Sequence, residues 1–175
     1  MTKNIIALAG PPCSGKSTVG RILSVSLQAD FIDIDRRIEA ETGHTIEWIF
    51  SNKGEQAFRD VEKRILLQSV TGSGSRTVIA LGGGALLDPD SCTVIERETI
   101  LFTLSALPET LVDRNSGQRP LAANDEGLRT LLKNREGHYL SLGNQVSTEK
   151  RTPQQVSEVI RKAALPLLSP PDRPF

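Results

Sequence analysis

Short apolar runs alternate along this chain with longer stretches in which apolar residues return every three or four positions. The runs Ile5–Ala9, 31–34, 77–81, 99–104 and 145–148 read as five strands, the last of them the weakest. After Lys16, the residues Val19, Ile22, Leu23 and Ser26/Leu27 keep helical spacing. From Gly54 onward, Ala57, Phe58, Val61, Ile65 and Leu66 form a second apolar stripe. Thr45 reads as the N-cap of a turn over 46–50, and Pro108 opens a helix where proline is tolerated. Thr152 and Pro153 read as N-cap and first position of a last helix, with Val156, Ile160 and Ala163 or Ala164 facing inward. Strands alternating with helices in this way build a parallel sheet covered on both faces. The expected fold is a three-layer α/β/α domain around a central five-stranded parallel sheet. One domain over 1–168 is expected, with the Pro-rich stretch 169–175 as a frayed tail.

Composition narrows the function classes. The 175 residues carry 21 Lys+Arg and 21 Asp+Glu, so no global field draws the protein to nucleic acid or an anionic membrane. Any positive potential it uses is local. Cys13 and Cys92 lack paired spacing and read as free thiols of a reducing compartment. The apolar run Ile5–Ala9 is too short for a membrane span or a signal segment. A cytoplasmic monomer acting on a small molecule is the expectation.

The first candidate chemistry sits between the first strand and the first helix. Gly10-Pro11-Pro12-Cys13-Ser14-Gly15-Lys16-Ser17-Thr18 matches G-x-x-x-x-G-K-S/T. Glycines at both ends let the backbone wrap closely enough for successive N–H groups to converge on phosphate oxygens. The helix that follows adds the positive end of its dipole. Lys16, expected exposed on the loop, supplies charge for β- and γ-phosphates, and the Ser17 hydroxyl can ligate Mg²⁺. Cys13 reads as loop filler, since no histidine lies near it in sequence to activate it.

Carboxylates follow the second strand. In Phe31-Ile32-Asp33-Ile34-Asp35, strand alternation is expected to put Asp33 and Asp35 on one face, at the carboxyl end where open α/β sheets bind ligands. Asp35 also reads as an N-cap for a helix over 36–41, and Asp33 as a strand-end residue facing water.

Taken together, the P-loop with Ser-Thr-Val-Gly after its lysine, Phe-Ile-Asp-Ile-Asp, Gly54-Glu55-Gln56-Ala57-Phe58-Arg59, Gly82-Gly83-Gly84-Ala85, Arg119-Pro120-Leu121 and Arg135 four residues before Tyr139 resemble the shikimate kinases. The resemblance implies a P-loop kinase fold like that of nucleoside monophosphate kinases, with ATP and Mg²⁺ as cofactors and shikimate as substrate. It implies that Pro12, Cys13, Ser14, Gly15, Lys16, Ser17 and Thr18 surround the nucleotide, and that Arg114 and Arg151 lie on its adenine side. Asp35 then grips the substrate hydroxyls, and Asp33 stands near Mg²⁺ with Ser17. Arg59 and Arg135 hold the substrate carboxylate, and the backbone of Gly82, Gly83 and Gly84 lies against the substrate. Arg119 comes over the phosphates from a lid at about 115–124. Lys16, Asp35 and Arg119 are the catalytic candidates.

Each residue has an ordinary alternative. Arg59 sits four after Glu55, the order of a surface helix pair. Arg135 can complement the C-terminal dipole of a helix over 126–135, and the glycines can form a plain turn. His44 and His138 read as surface or packed histidines. Two other functions stay open: another small-molecule P-loop kinase, such as a gluconate kinase, and a non-catalytic nucleotide-binding module. The second is expected to lose Lys16, Asp33 or Arg119, all present here.

Overall fold

The computed structural model of the chain describes residues 3–72, 75–115 and 124–170. Five parallel strands form one sheet: β1 (Ile5–Ala9), β2 (Asp30–Asp33), β3 (Thr77–Ala80), β4 (Ile100–Ser105) and β5 (Gln145–Ser147). Their order is β2-β3-β1-β4-β5, which puts β1 at the centre. Alternation along the strands explains the three layers. Ile5, Ala7 and Ala9 face one way with Ile79 and Leu101, onto a core that includes Ile34, Ile65 and Ile95. Ile6 and Leu8 face the other way with Phe102 and Leu104. They meet Val19 and Leu23 of α1 (Lys16–Leu27) and Val156 and Ile160 of α7 (Pro153–Ala164). Each such side chain taken fully out of water contributes about 1.5–3 kcal/mol before its entropy cost. Both faces being covered, β1, β3 and β4 are buried along almost their whole length, while the edge strands β2 and β5 keep exposed polar residues.

The helices on the first face come from α2 (Ile34–Thr42), α3 (Ile46–Thr71) and α4 (Pro89–Glu98). The turn over 46–50 and the stripe beginning at Gly54 are one helical element broken at Gly54, where φ is 82° and ψ 171°. That conformation suits glycine, and it turns the segment 46–53 away from the axis of the rest. Thr45 caps this element through Trp48 N–H as expected. Helix α4 has no counterpart in the periodicity reading. Its start is marked by Asp88, whose side chain accepts from Ser91 N–H, and by Pro89 at the first position.

In a separate small cluster, α5 (Pro108–Asp113) packs on α6 (Asp125–Ser141) through Leu111, Val112, Leu128 and Leu132. Helix α6 runs beyond the expected 126–135, which leaves Arg135 two turns short of the C-terminus and removes the dipole explanation for it. Asn124, assigned from sequence to the lid, caps α6 by accepting from Gly127 N–H. Helix α7 opens on a reciprocal capping box between Thr152 and Gln155, with Ala164 rather than Ala163 buried. At the tail, Ser169 is held to the body: its N–H donates to Lys3 O, and its carbonyl accepts from Arg76.

Candidate active site

The loop between β1 and α1 is shaped by close backbone contact. A Cβ on Gly10 would stand 2.3 Å from the Leu104 carbonyl oxygen, at a φ of +132°. Only glycine fits there. Gly15, at φ +92°, precedes the helix, and Val19 N–H closes its first turn on the Gly15 carbonyl at 2.9 Å. The N–H groups ahead of Val19 therefore lack intrahelical partners, and they lie at the positive end of a helix of 12 residues. The Ser14 hydroxyl is buried with no hydrogen-bond partner among the described residues. An oxyanion suits this donor-rich, acceptor-poor concavity.

Lys16 departs from the sequence expectation. It is buried, at 5% exposure, and its ammonium donates to the carbonyls of Gly10 at 2.8 Å and Pro11 at 2.7 Å. A three-donor cation inside a tight loop satisfies the loop's own carbonyls.

The two aspartates also differ from their reading. Strand β2 ends at Asp33, and Asp33, not Asp35, is the N-cap: its Oδ1 accepts from Arg36 N–H at 3.4 Å. Asp35 lies in the first helical turn, so strand alternation does not relate the two. The helix start turns both into the same cavity instead. Its volume is about 700 Å³, and its wall includes Pro12, Ser17, Asp33, Asp35, Arg59 and Arg135.

Beside the P-loop, the glycines after β3 stand where any side chain would crowd its neighbours. A Cβ on Gly82 would stand 2.1 Å from Glu62 Oε1 and 3.2 Å from Asp35 Oδ1. On Gly83 it would press on Pro12 at 3.1 Å. On Gly84 it would lie 2.9 Å from Arg135 Nη1 and from both Nη atoms of Arg59. Two guanidinium groups, from α3 and α6, thus converge on one point of the cavity wall. The expected surface pair exists, Arg59 to Glu55 at 3.1 Å, but Arg59 also bonds Glu62 Oε2 at 2.6 Å. Arg135 forms no hydrogen bond or ion pair with the described residues. A planar guanidinium pair facing a cavity can take a carboxylate bidentately.

Glu62 escaped the sequence reading. It is 3% exposed, and burial pushes its carboxyl above the usual carboxylate range against the pull of Arg59, with the Asp35 charge adding to the rise. Burial works to lower the Arg59 pKa, but Glu62 and Glu55 outweigh it and hold it raised. The signal was available: Glu62 falls four after Phe58 and three before Ile65, on the apolar stripe itself.

Arg114 and Arg151 lie apart from this cavity. Arg114 donates to Thr148 Oγ1 at 3.0 Å and Arg151 to the Ser147 carbonyl at 3.1 Å, so both are tied to the end of β5 and the residue after it. Arg119 lies outside the described residues. His44 stacks on Trp48 with ring centroids 3.7 Å apart. Among the described residues no cluster of His, Cys, Asp or Glu could hold a metal ion by itself, and no helix is long and apolar enough to cross a membrane. Ser17 and Asp33 share one cavity, which suits a Mg²⁺ ion that arrives with phosphate oxygens and keeps several waters.

Comparison with known proteins gives a consistent result. The shikimate kinase family model matches residues 12–164. The shikimate kinase of Corynebacterium efficiens is 37% identical over 162 residues, 89% of this chain and 94% of its own. That of Symbiobacterium thermophilum is 36% identical over 166 residues, 90% and 94% of the two chains. Among solved structures, the Acinetobacter baumannii shikimate kinase in complex with shikimate is 32% identical, with 94% of each chain covered and a TM-score of 0.86. A gluconokinase from Sinorhizobium meliloti, at 18% identity and a TM-score of 0.59, shares the fold alone. The order of motifs, the parallel five-stranded sheet and these matches agree, and the chain belongs to the shikimate kinase family.

Proposed function

We propose that the protein transfers the γ-phosphoryl group of ATP to the 3-hydroxyl of shikimate. The observation that carries this reading is the convergence of Arg59 and Arg135 on Gly84, in the same cavity as Ser17 and Asp35. The guanidinium pair fixes the carboxylate of the acid. Asp35 takes the hydrogen bond of the reacting hydroxyl and receives its proton on transfer. The P-loop N–H groups from Cys13 to Thr18 hold the phosphates, and Lys16 exchanges its loop carbonyls for β- and γ-phosphate oxygens. Ser17 and Asp33 would hold Mg²⁺, which would supply charge neutralisation at the phosphates. Arg119 joins from a lid over 115–124, and Arg114 and Arg151 border the adenine. Positioning and charge neutralisation carry most of the rate, because a loose phosphoryl-transfer transition state asks little covalent work of the protein.

We take residues 1–168 as a single domain that works as a monomer. Cys13 and Cys92 are unpaired, in keeping with a reducing cytoplasm. The test is ADP release measured side by side with shikimate, quinate, gluconate and nucleoside monophosphates. Turnover with shikimate far above the others is the expected result. Preference for gluconate, or no acceptor-dependent ADP release, would overturn the reading.

A further inference from the structure

Three consecutive glycines should be the loosest backbone in the cavity wall, since glycine moves freely between both halves of φ/ψ space. Here each of their carbonyls is engaged. Ala85 N–H donates to Gly82 O at 3.2 Å and Leu87 N–H to Gly84 O at 3.1 Å, both local bonds of the following turn. The carbonyl between them is held from elsewhere: Gly83 O accepts from the Tyr139 hydroxyl at 2.6 Å, across 56 residues of sequence. The N–H groups of Gly83 and Gly84 donate to none of the described residues, and both glycines line the cavity. In a trans peptide C=O and N–H point in opposite directions. Anchoring the Gly83 carbonyl therefore also aims the Gly84 N–H away from the tyrosine. The loop meets the cavity with donors and keeps its acceptors turned aside, which is the polarity that the oxygens of an acid need. Tyr139 also lies four residues after Arg135 on α6, the spacing of side chains on one helix face. A single hydroxyl thus ties the glycine peptide to the helix that carries a guanidinium of the pair.

We propose that Tyr139 is a positioning residue for the acid substrate. Its hydroxyl holds the Gly83 carbonyl, sets the Gly83–Gly84 peptide as a donor toward substrate oxygens, and keeps Arg135 beside Gly84. This inference rests on the shikimate reading above. It extends that reading to a side chain in the wall behind the site.

Tyr139→Phe removes one oxygen and keeps a ring that is 8% exposed, so packing is preserved. The variant should raise KM for shikimate about tenfold, the size expected when a buried acceptor loses its donor, with KM for ATP and kcat within about twofold of wild type. In the ligand-free chain, hydrogen exchange at Gly83 and Gly84 should quicken while exchange in β1 and α1 stays unchanged. Wild-type shikimate KM together with unchanged glycine exchange, beside an active parent, would overturn this inference alone. Losses shared evenly by both KM values and kcat would reduce Tyr139 to a packing residue and overturn it too. Absence of shikimate-dependent turnover in the parent itself would overturn the shikimate reading, and this inference with it.

Discussion

Arg59→Ala and Arg135→Ala delete the same chemical group from one cavity, but the two arginines have different surroundings. Each loses charge-assisted hydrogen bonds to the substrate carboxylate, worth about 1.5–3 kcal/mol, which corresponds to roughly a 10- to 150-fold rise in KM for shikimate. KM for ATP should stay within about threefold, since neither side chain belongs to the phosphate loop. The fold responds differently. Arg59 is the ion-pair partner of Glu62, which is 3% exposed and 2.6 Å away. Removing one partner of a buried pair costs about 3–5 kcal/mol. Two features lower that figure. The Arg59 side chain is itself 23% exposed, so water screens part of the pair. Burial has also already raised the Glu62 carboxyl, and an orphaned Glu62 can take up a proton. A cost of about 2–3 kcal/mol follows, or roughly 4–12 °C of Tm at about 2–4 °C per kcal/mol for a chain of this size. Arg135 has no ion-pair partner among the described residues and faces a like charge across Gly84. Its removal should move Tm by no more than about 2 °C, corresponding to about 0.5 kcal/mol. Calorimetry on ligand-free protein at neutral pH, with steady-state kinetics varying shikimate and ATP separately, reads both effects. The double variant Arg59→Ala/Glu62→Gln should recover part of the lost Tm and none of the lost affinity. Equal Tm losses for the two single variants, or equal effects on both substrates, would refute this account of the pair.

Other perturbations probe neighbouring parts of the site. Lys16→Met should abolish measurable turnover and also lower Tm by several degrees, because the carbonyls of Gly10 and Pro11 lose a buried donor; an unchanged Tm would show that these two bonds contribute nothing to the ligand-free loop. Gly82→Ala drives a Cβ to 2.1 Å from Glu62 Oε1 and must displace the carboxylate that holds Arg59. It should cost about 1–3 kcal/mol of stability and raise KM for shikimate more than KM for ATP, and wild-type kinetics would contradict the crowding. The pH dependence of Tm tests Glu62. Its folded pKa lies above the ordinary 4.5, so its stabilising contribution is complete below that value and is lost as pH climbs through the raised one. Glu62→Gln cannot titrate, so the Tm of the variant minus that of wild type should grow with pH across this window. A constant or shrinking difference would mean that ion pairing, not burial, dominates Glu62.

How far the sequence reveals this site depends on how local each cause is. The strands and the P-loop were readable because their patterns are set within a few residues: apolar runs buried on both faces, and a glycine spacing imposed by one turn. Where two local signals competed, the sequence did not decide. Asp33 and Asp35 were placed on one face by extending strand β2 through Ile34, but Ile34 already belongs to α2, and Asp33 satisfies the orphan N–H of Arg36. Their meeting in one cavity comes from a strand giving way to a helix at that point, not from a period of two. Gly54 likewise divided in the reading what is one element with a break.

The guanidinium pair was legible only through resemblance to a family, and physics explains why. Nothing within a few residues of Arg59 says that Arg135 lies beside it, since the two meet only when α6 folds back along the end of β3. Local patterning gave each a sufficient partner, Glu55 for Arg59 and a helix terminus for Arg135. The first of these is real and still does not exclude the cavity role, because one guanidinium has five donors and can serve Glu55, Glu62 and a substrate from different edges. The general reading rule that would have found Glu62 is about cost. A carboxylate on the apolar stripe of a helix is too expensive to bury without a cation at hand, and the nearest candidate on the same face was the arginine three residues before it. Applied to Phe58, Glu62 and Ile65, that rule marks Arg59 as a residue held from within the protein. An arginine so held points where the fold sends it, and here that is the wall of the cavity shared with the P-loop.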